Sequence, residues 1–339
     1  MPKRVLLTGA GGFVGSHTLA HILVNTDWEI VVIDSFRHKG LTDRLRQMVY
    51  DTYPEHTSRV NIFVHDLRVP ISSILANQMG HIDYVINMAS ESHVDRSIEN
   101  PRDFIENNVQ LVLTMLEYAR EHPVEKFIQI STDEVYGPAP IGHAHKEGEP
   151  HKPSNPYSAS KAAQENICFS YWRTYGIPIV ITNTMNIIGE MQDPEKFFPK
   201  TIQKVLSGDT VSIHSSPTGV VGSRFYLHAR NQADALLYIL KNIDVDVYSD
   251  EGATSPTHLH VVGEKEIDNL TLAKSIAKYA GSPLKYELVD FHSSRPGHDL
   301  RYALDGTKLR ELGWNPPVPL EQSIKKTVEW TIAHPEWVE

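Results

Sequence analysis

Short, nearly uninterrupted apolar runs recur through the first half of the chain, at 4–7, 29–33, 60–64, 84–88, 127–130 and 177–182, with a helical pattern starting near residue 12. Apolar runs of this length, without polar alternation, are what strands of a parallel sheet carry when both faces are covered. Helical stretches separate them, so the pattern predicts an α/β fold built on a doubly wound parallel sheet. After residue 183 the rhythm changes. Prolines at 194, 199, 217, 256, 283, 296, 316, 317 and 319 interrupt shorter helices such as 196–206 and 269–280. The expected organisation is a sheet domain over 1–182 and a smaller mixed α/β substrate-binding lobe over 183–224 and 251–339. A helix-like stretch at 225–243 is read as returning to the first domain, up to about residue 250. The segment 138–153, with its His, Gly and Pro content, reads as an exposed loop.

Composition narrows the class. Of 339 residues, 32 are basic and 42 acidic, for a net charge of -10. No Lys/Arg-rich run is available to track a phosphate backbone, so nucleic acid is not an expected partner. The only cysteine is Cys168, between Ile167 and Phe169 on what reads as a helix packing face. That excludes disulfides and cysteine-based zinc sites; no metal is expected, and a reducing cytoplasm fits. The opening MPKRVLLT is too short for a secretory h-region, and no apolar stretch approaches membrane-spanning length.

Residues 8–15 read TGAGGFVG, placing Gly9, Gly12 and Gly15 between the first strand and the first helix. Residues without a Cβ let the backbone approach a pyrophosphate, and the helix N-terminus offers it free N–H groups. Asp34 ends the second strand, where a carboxylate can accept both ribose hydroxyls. This context makes the sheet a Rossmann dinucleotide-binding domain. Asp34 would repel a 2'-phosphate, so NAD is favoured over NADP, although Arg37, His38 and Lys39 close behind keep NADP as a second reading. Phe13 and Val14 in the turn, Asp66 and Leu67 after the third strand and Ala89 after the fourth complete the expected cofactor contacts.

Residues 154–161 read SNPYSASK. Asn155 can cap a helix that begins at Pro156, which puts Tyr157 and Lys161 on one face. An ammonium near the phenol can lower its pKa and make it a base for a sugar hydroxyl. Residues 131–137 read STDEVYG, with Asp133 and Glu134 adjacent at the end of an apolar run. Such a pair either ends a strand in solvent or supplies an acid and a base, since burial and like charge push two neighbouring pKa values apart.

TGAGGFVG, STDEVYG and PYSASK together resemble the extended short-chain dehydrogenase/reductases, within the nucleoside-diphosphate-sugar epimerase/dehydratase family. ESHVDRSIENP (91–101), NPYSASKAAQEN (155–166), RTYGIPIVITN (173–183), DPEKFFP (193–199) and RPGHDLRYALD (295–305) are similar to its 4,6-dehydratases, those acting on dTDP-glucose above all. The likeness runs from residue 3 to about 332, and the Asp–Glu pair makes it specific.

The resemblance implies a reaction on a nucleoside-diphosphate hexose. Tyr157, with Lys161 and Thr132, would remove the O4 proton while C4 gives hydride to NAD. Glu134 would take the C5 proton and Asp133 would protonate the departing C6 hydroxyl, leading to a 4-keto-6-deoxy sugar. It also implies that Ser92 and His93 line the sugar pocket, and that Asn186, Lys196, Arg224, Arg295 and His298 hold the nucleotide. A homodimer through 101–121 and 156–175 is implied as well. The chain departs from the family at 215–223, which replaces a shorter glycine-rich turn, and at Arg230-Asn231, which replaces an acidic pair. It departs again at His260, where an asparagine is usual, and over 185–189. These departures leave the base open between dTDP and UDP. The competing readings are a 4-epimerase or another dehydratase of the superfamily, and a non-catalytic NAD-binding regulator. The last predicts loss of Tyr157 or Lys161, and both are present.

Overall fold

A computed structural model describes residues 2–38, 40–249, 252–290 and 300–338. Seven parallel strands make the central sheet: β1 Arg4–Thr8, β2 Glu29–Asp34, β3 Val60–Val64, β4 Tyr84–Asn87, β5 Lys126–Thr132, β6 Ile179–Thr184 and β7 Thr257–Val261. Their spatial order is β7-β6-β5-β4-β1-β2-β3. Alternate residues of each strand feed opposite layers, as the pleat requires. Val5, Leu7, Ile86 and Ile128 pack under helices α1 (Phe13–Asn25) and, from later in the chain, Ala229–Asn242. Leu6, Val85 and Phe127 pack on the other side, under α2 (Pro101–Glu121) and α3 (Pro156–Tyr175). Burial on both faces is why these strands carry no polar alternation.

One boundary differs from the sequence reading. The stretch 251–339 is not all lobe, because Thr257–Val261 pairs in parallel with β6, His260 opposite Asn183, as the edge strand of the sheet. Its sequence, Thr-His-Leu-His-Val, alternates polar and apolar residues and so hides a strand that is nonetheless almost wholly buried. The lobe itself packs helices Phe197–Ser207, Asn269–Ala280 and Leu320–Ala333 around Phe198, Ile202, Leu272, Ile276, Ile324 and Val328. Among the described residues no helix is long and apolar enough to cross a membrane.

β5 extends two residues beyond its apolar run, to Thr132. A single 3-10 turn, Asp133–Tyr136, follows, and the Thr132 hydroxyl caps it by accepting from the Glu134 N–H at 3.3 Å. The acidic pair therefore sits on a tight turn at the carboxyl edge of the sheet, where open α/β sheets bind ligands.

Candidate active site

The glycine turn at the end of β1 is built for close approach. Gly9 has φ +71, and a Cβ on it would lie 2.9 Å from Ala89 Cα. A Cβ on Gly15 would collide with the Gly9 carbonyl oxygen. Gly12 begins α1 without a side-chain cap, so the first helical N–H groups are left for an anion. Asp34 is buried at the end of β2; its carboxylate accepts from the N–H groups of Gly11 and Phe36, each at 2.9 Å. Arg37 donates to Glu91 and Asn107, both at 2.7 Å, and His38 Nε2 lies 2.7 Å from the same Glu91 oxygen. Two side chains that could have met a 2'-phosphate are thus committed to a carboxylate. Lys39 lies outside the described residues.

A cavity of about 930 Å³ runs from this turn to the sheet's carboxyl edge. Gly9, Gly12, Phe13, Val14, Gly15, Asp34, Asp66, Leu67 and Ala89 line one end, and Ser92, His93, Thr132, Tyr157, Lys161 and Lys196 the other. Asp66 is held by Arg68, which keeps its carboxyl at about 2. The glycine cradle, the buried carboxylate that ends β2 and the uncapped helix start together fit a dinucleotide.

Tyr157 and Lys161 owe their place to a capping box. Asn155 Oδ1 accepts from the Ser158 N–H at 2.9 Å, Ser158 Oγ accepts from the Asn155 N–H at 3.1 Å, and Pro156 takes the first helical position. Tyr157 and Thr132 line the cavity together, and the threonine side chain works to lower the phenol's pKa. Lys161 is buried and donates to the Ile130 carbonyl at 2.6 Å and to Gln164 Oε1 at 2.5 Å. Burial brings the lysine down to about 8, against the pull of Glu165. The expected lowering of the phenol by Lys161 is not found in the protein alone. Burial and the Glu134 charge push Tyr157 up, and the ammonium is spent on Ile130 and Gln164.

The two carboxyls differ sharply. Asp133 is buried; its Oδ1 accepts from the Thr132 hydroxyl at 3.0 Å, and its Oδ2 has no hydrogen-bond partner among the described residues. Burial first, and Glu134 second, raise it to about 7. Glu134 is half-buried and accepts from the Asn155 amide at 3.0 Å, so the residue that caps the helix also aims the second carboxylate.

The remaining expected residues scatter. Arg224 stacks on Tyr302 with 4.7 Å to the ring centroid and donates to the Ser223 carbonyl at 2.7 Å; its charge also reaches Asp133. Lys196 immediately precedes the helix Phe197–Ser207, and its Nζ is 3.5 Å from the Ser92 carbonyl. His93 lies 3.1 Å from Glu195, and burial, followed by Lys196, lowers its pKa. Asn186 is exposed and is not part of the cavity lining. Arg295 and His298 lie outside the described residues. His260, expected in the nucleotide-reading lobe, instead stands in β7, buried, with Tyr136 Oη at 2.9 Å and the Asp305 carbonyl at 3.1 Å. Its strand belongs to the sheet, so it packs behind the 133–136 turn.

Sequence reasoning missed Glu165, which is 3% exposed. Burial works against its charge, but His151, 3.1 Å away, with His258 and Ser131, holds its pKa down. Asn183 adds a hydrogen bond at 2.7 Å. A signal was present: 157, 161 and 165 are spaced by four, one ladder along a helix face.

Comparison with known proteins matches this architecture along nearly its full length. The family model described as GDP-mannose 4,6 dehydratase matches residues 6–327. The low-salt glycan biosynthesis protein Agl12 of Haloferax volcanii is 34% identical over 98% of this chain and 99% of its own length. The dTDP-glucose 4,6-dehydratase of Escherichia coli is 32% identical over 98% and 95%. Among solved structures, a dTDP-glucose 4,6-dehydratase from Streptomyces venezuelae, crystallised with NAD and TYD, superposes with a TM-score of 0.85 at 31% identity, covering 99% of each chain. The glycine turn, the acidic pair and the Tyr157–Lys161 helix all fall inside the matched span, and the chain belongs to the GDP-mannose 4,6 dehydratase family.

Proposed function

We propose that the protein is an NAD-dependent nucleotide-sugar 4,6-dehydratase, a hydro-lyase that converts dTDP-glucose or UDP-glucose to its 4-keto-6-deoxy form. The observation that carries this reading is the unequal pair on the 133–136 turn: a buried Asp133 raised to about 7 beside a Glu134 aimed by Asn155. Elimination of water needs an acid and a base beside C5 and C6, whereas epimerisation at C4 needs only the group that takes and returns the O4 proton. Relatives named for dTDP-glucose make that sugar nucleotide the first choice; the changed segment 215–223 keeps UDP-glucose beside it.

Each chemical step then has a residue. Gly9, Gly12, Gly15 and Asp34 hold the dinucleotide, which when bound accepts hydride from C4 and later returns it to C6. Tyr157, which lines the cavity with Thr132, takes the O4 proton as the 4-ketone forms. Lys161 brings a positive charge to the same helix face. The ketone acidifies C5, and Glu134 takes the C5 proton. Asp133, protonated, gives its proton to the C6 hydroxyl, and water leaves. Glu134 then restores the C5 proton as C6 is reduced, so no net redox change remains. Lys196, Ser92 and His93 at the far end of the cavity, with Arg224, are assigned to the nucleotide sugar. The working form is proposed as a homodimer through α2 and α3.

Incubation with dTDP-glucose and UDP-glucose, followed by product identification, tests the proposal. A 4-keto-6-deoxy product that absorbs strongly in alkali is expected from at least one of them. Recovery of only a C4 epimer from both would overturn it.

A further inference from the structure

The loop that leaves the catalytic turn carries a second cluster that the reaction does not use. Residues 143–149 read His-Ala-His-Lys-Glu-Gly-Glu. One oxygen, Glu149 Oε2, lies 2.7 Å from His145 Nδ1 and 3.3 Å from His143 Nε2, and the three donor atoms fall within 4.8 Å of one another. Tetrahedral zinc with ligands at about 2.0–2.1 Å separates its donors by roughly 3.3 Å, so the 3.3 Å between Glu149 and His143 already matches and the 2.7 Å between Glu149 and His145 has to open slightly. The third closes by rotation of His143, which is exposed.

We propose that His143, His145 and Glu149 form a site for a divalent transition metal of the zinc class, bound by two imidazoles and one carboxylate with a water in the fourth position. The donor set is the kind zinc accepts, and imidazole with carboxylate oxygen is a poor choice for calcium or magnesium. The ligands are held before any ion arrives. His145 is fixed by its N–H on the Ala303 carbonyl at 2.9 Å and by the Asp305 N–H on its own carbonyl at 2.7 Å. Its ring stacks on Tyr136 at 5.4 Å. The His143 carbonyl accepts from Arg301 at 2.6 Å, and the Lys146 N–H orients the other oxygen of Glu149 at 2.9 Å. Arg301 does not repel a cation strongly, because Glu266 pairs with it through two hydrogen bonds at 2.7 and 2.9 Å. Two imidazoles sharing one carboxylate could also be a plain hydrogen-bonded brace, and the two readings differ in what a metal does.

A metal here would close 143–149 on itself, beside 303–305 and behind Tyr136 of the turn that carries Asp133 and Glu134. The test uses the untagged full-length chain, stripped with chelator and titrated with Co²⁺ and then Zn²⁺. Tetrahedral d–d bands saturating at one equivalent, displaced by Zn²⁺, are expected, together with a higher Tm in Zn²⁺. His145→Gln and Glu149→Gln should each weaken binding by about tenfold or more, and the exposed His143→Gln should do the same without loss of fold. His81→Gln, an exposed histidine far from the loop, should bind like the parent. Absence of a one-equivalent site, or binding unchanged in His143→Gln and Glu149→Gln, would leave only the hydrogen-bonded brace and overturn the proposal. Every readout is metal binding or melting, so a failure here is distinct from a failure of the dehydratase reading.

Discussion

Asp133 sets the pH dependence at the scale of a single residue. Its carboxyl is raised to about 7 by burial and Glu134, so the protonated acid that elimination requires is present below that pH and lost above it. With dTDP-glucose or UDP-glucose as substrate, kcat is expected to fall as pH rises through about 7. Asp133→Asn should lower kcat for the loss of water by roughly 10²–10⁴-fold, while cofactor reduction at C4 remains visible by absorbance. The same residue costs stability. A group whose folded pKa lies above its unfolded value contributes fully below the unfolded pKa and loses that contribution as pH rises through the folded one. Against an uncharged asparagine, Asp133 therefore weakens the fold progressively as pH climbs from the ordinary carboxylate range to about 7, by roughly 1.4 kcal/mol for each pH unit in that interval. Asp133→Asn should raise Tm more at pH 8 than at pH 5; an equal gain at both would contradict the buried, raised carboxyl.

Helix α3 shows how one element serves stability and chemistry together. Asn155 caps it through Oδ1 and reaches Glu134 through Nδ2. Asn155→Ala should cost about 1 kcal/mol of stability and lower kcat as well. Asn155→Asp keeps a capping oxygen but replaces the amide donor with a second negative charge. Its Tm should recover toward the parent while kcat stays low, and urea melts beside steady-state rates separate the two effects. On the opposite layer, Leu236 of Ala229–Asn242 is fully buried against the sheet. Leu236→Ala should cost about 2–5 kcal/mol, read from the urea midpoint.

For the molecule as a whole, α2 and α3 leave Ile105, Phe169 and Tyr175 at 39%, 37% and 52% exposure on helices that already cover one face of the sheet. Light scattering after size exclusion is expected to give twice the mass of one chain, and a mass of one chain would remove the dimer. The apolar runs, the glycine turn and the capped Tyr157 helix were legible in the sequence, because each leaves its mark within a few consecutive residues: an unbroken apolar run, glycines at fixed spacing, and a capping residue before a proline. β7 was not legible, since the His258 and His260 that break its apolar run find their partners in Asn183, Tyr136 and Asp305, far away in the chain. Nor was the proton state of Asp133, which follows from burial and from the nearness of Glu134 and Arg224. Chain order alone therefore determined which residue types stand at the carboxyl edge of the sheet. Only the tertiary structure decided which of them lose water, and desolvation is what turns one carboxyl of an adjacent pair into an acid.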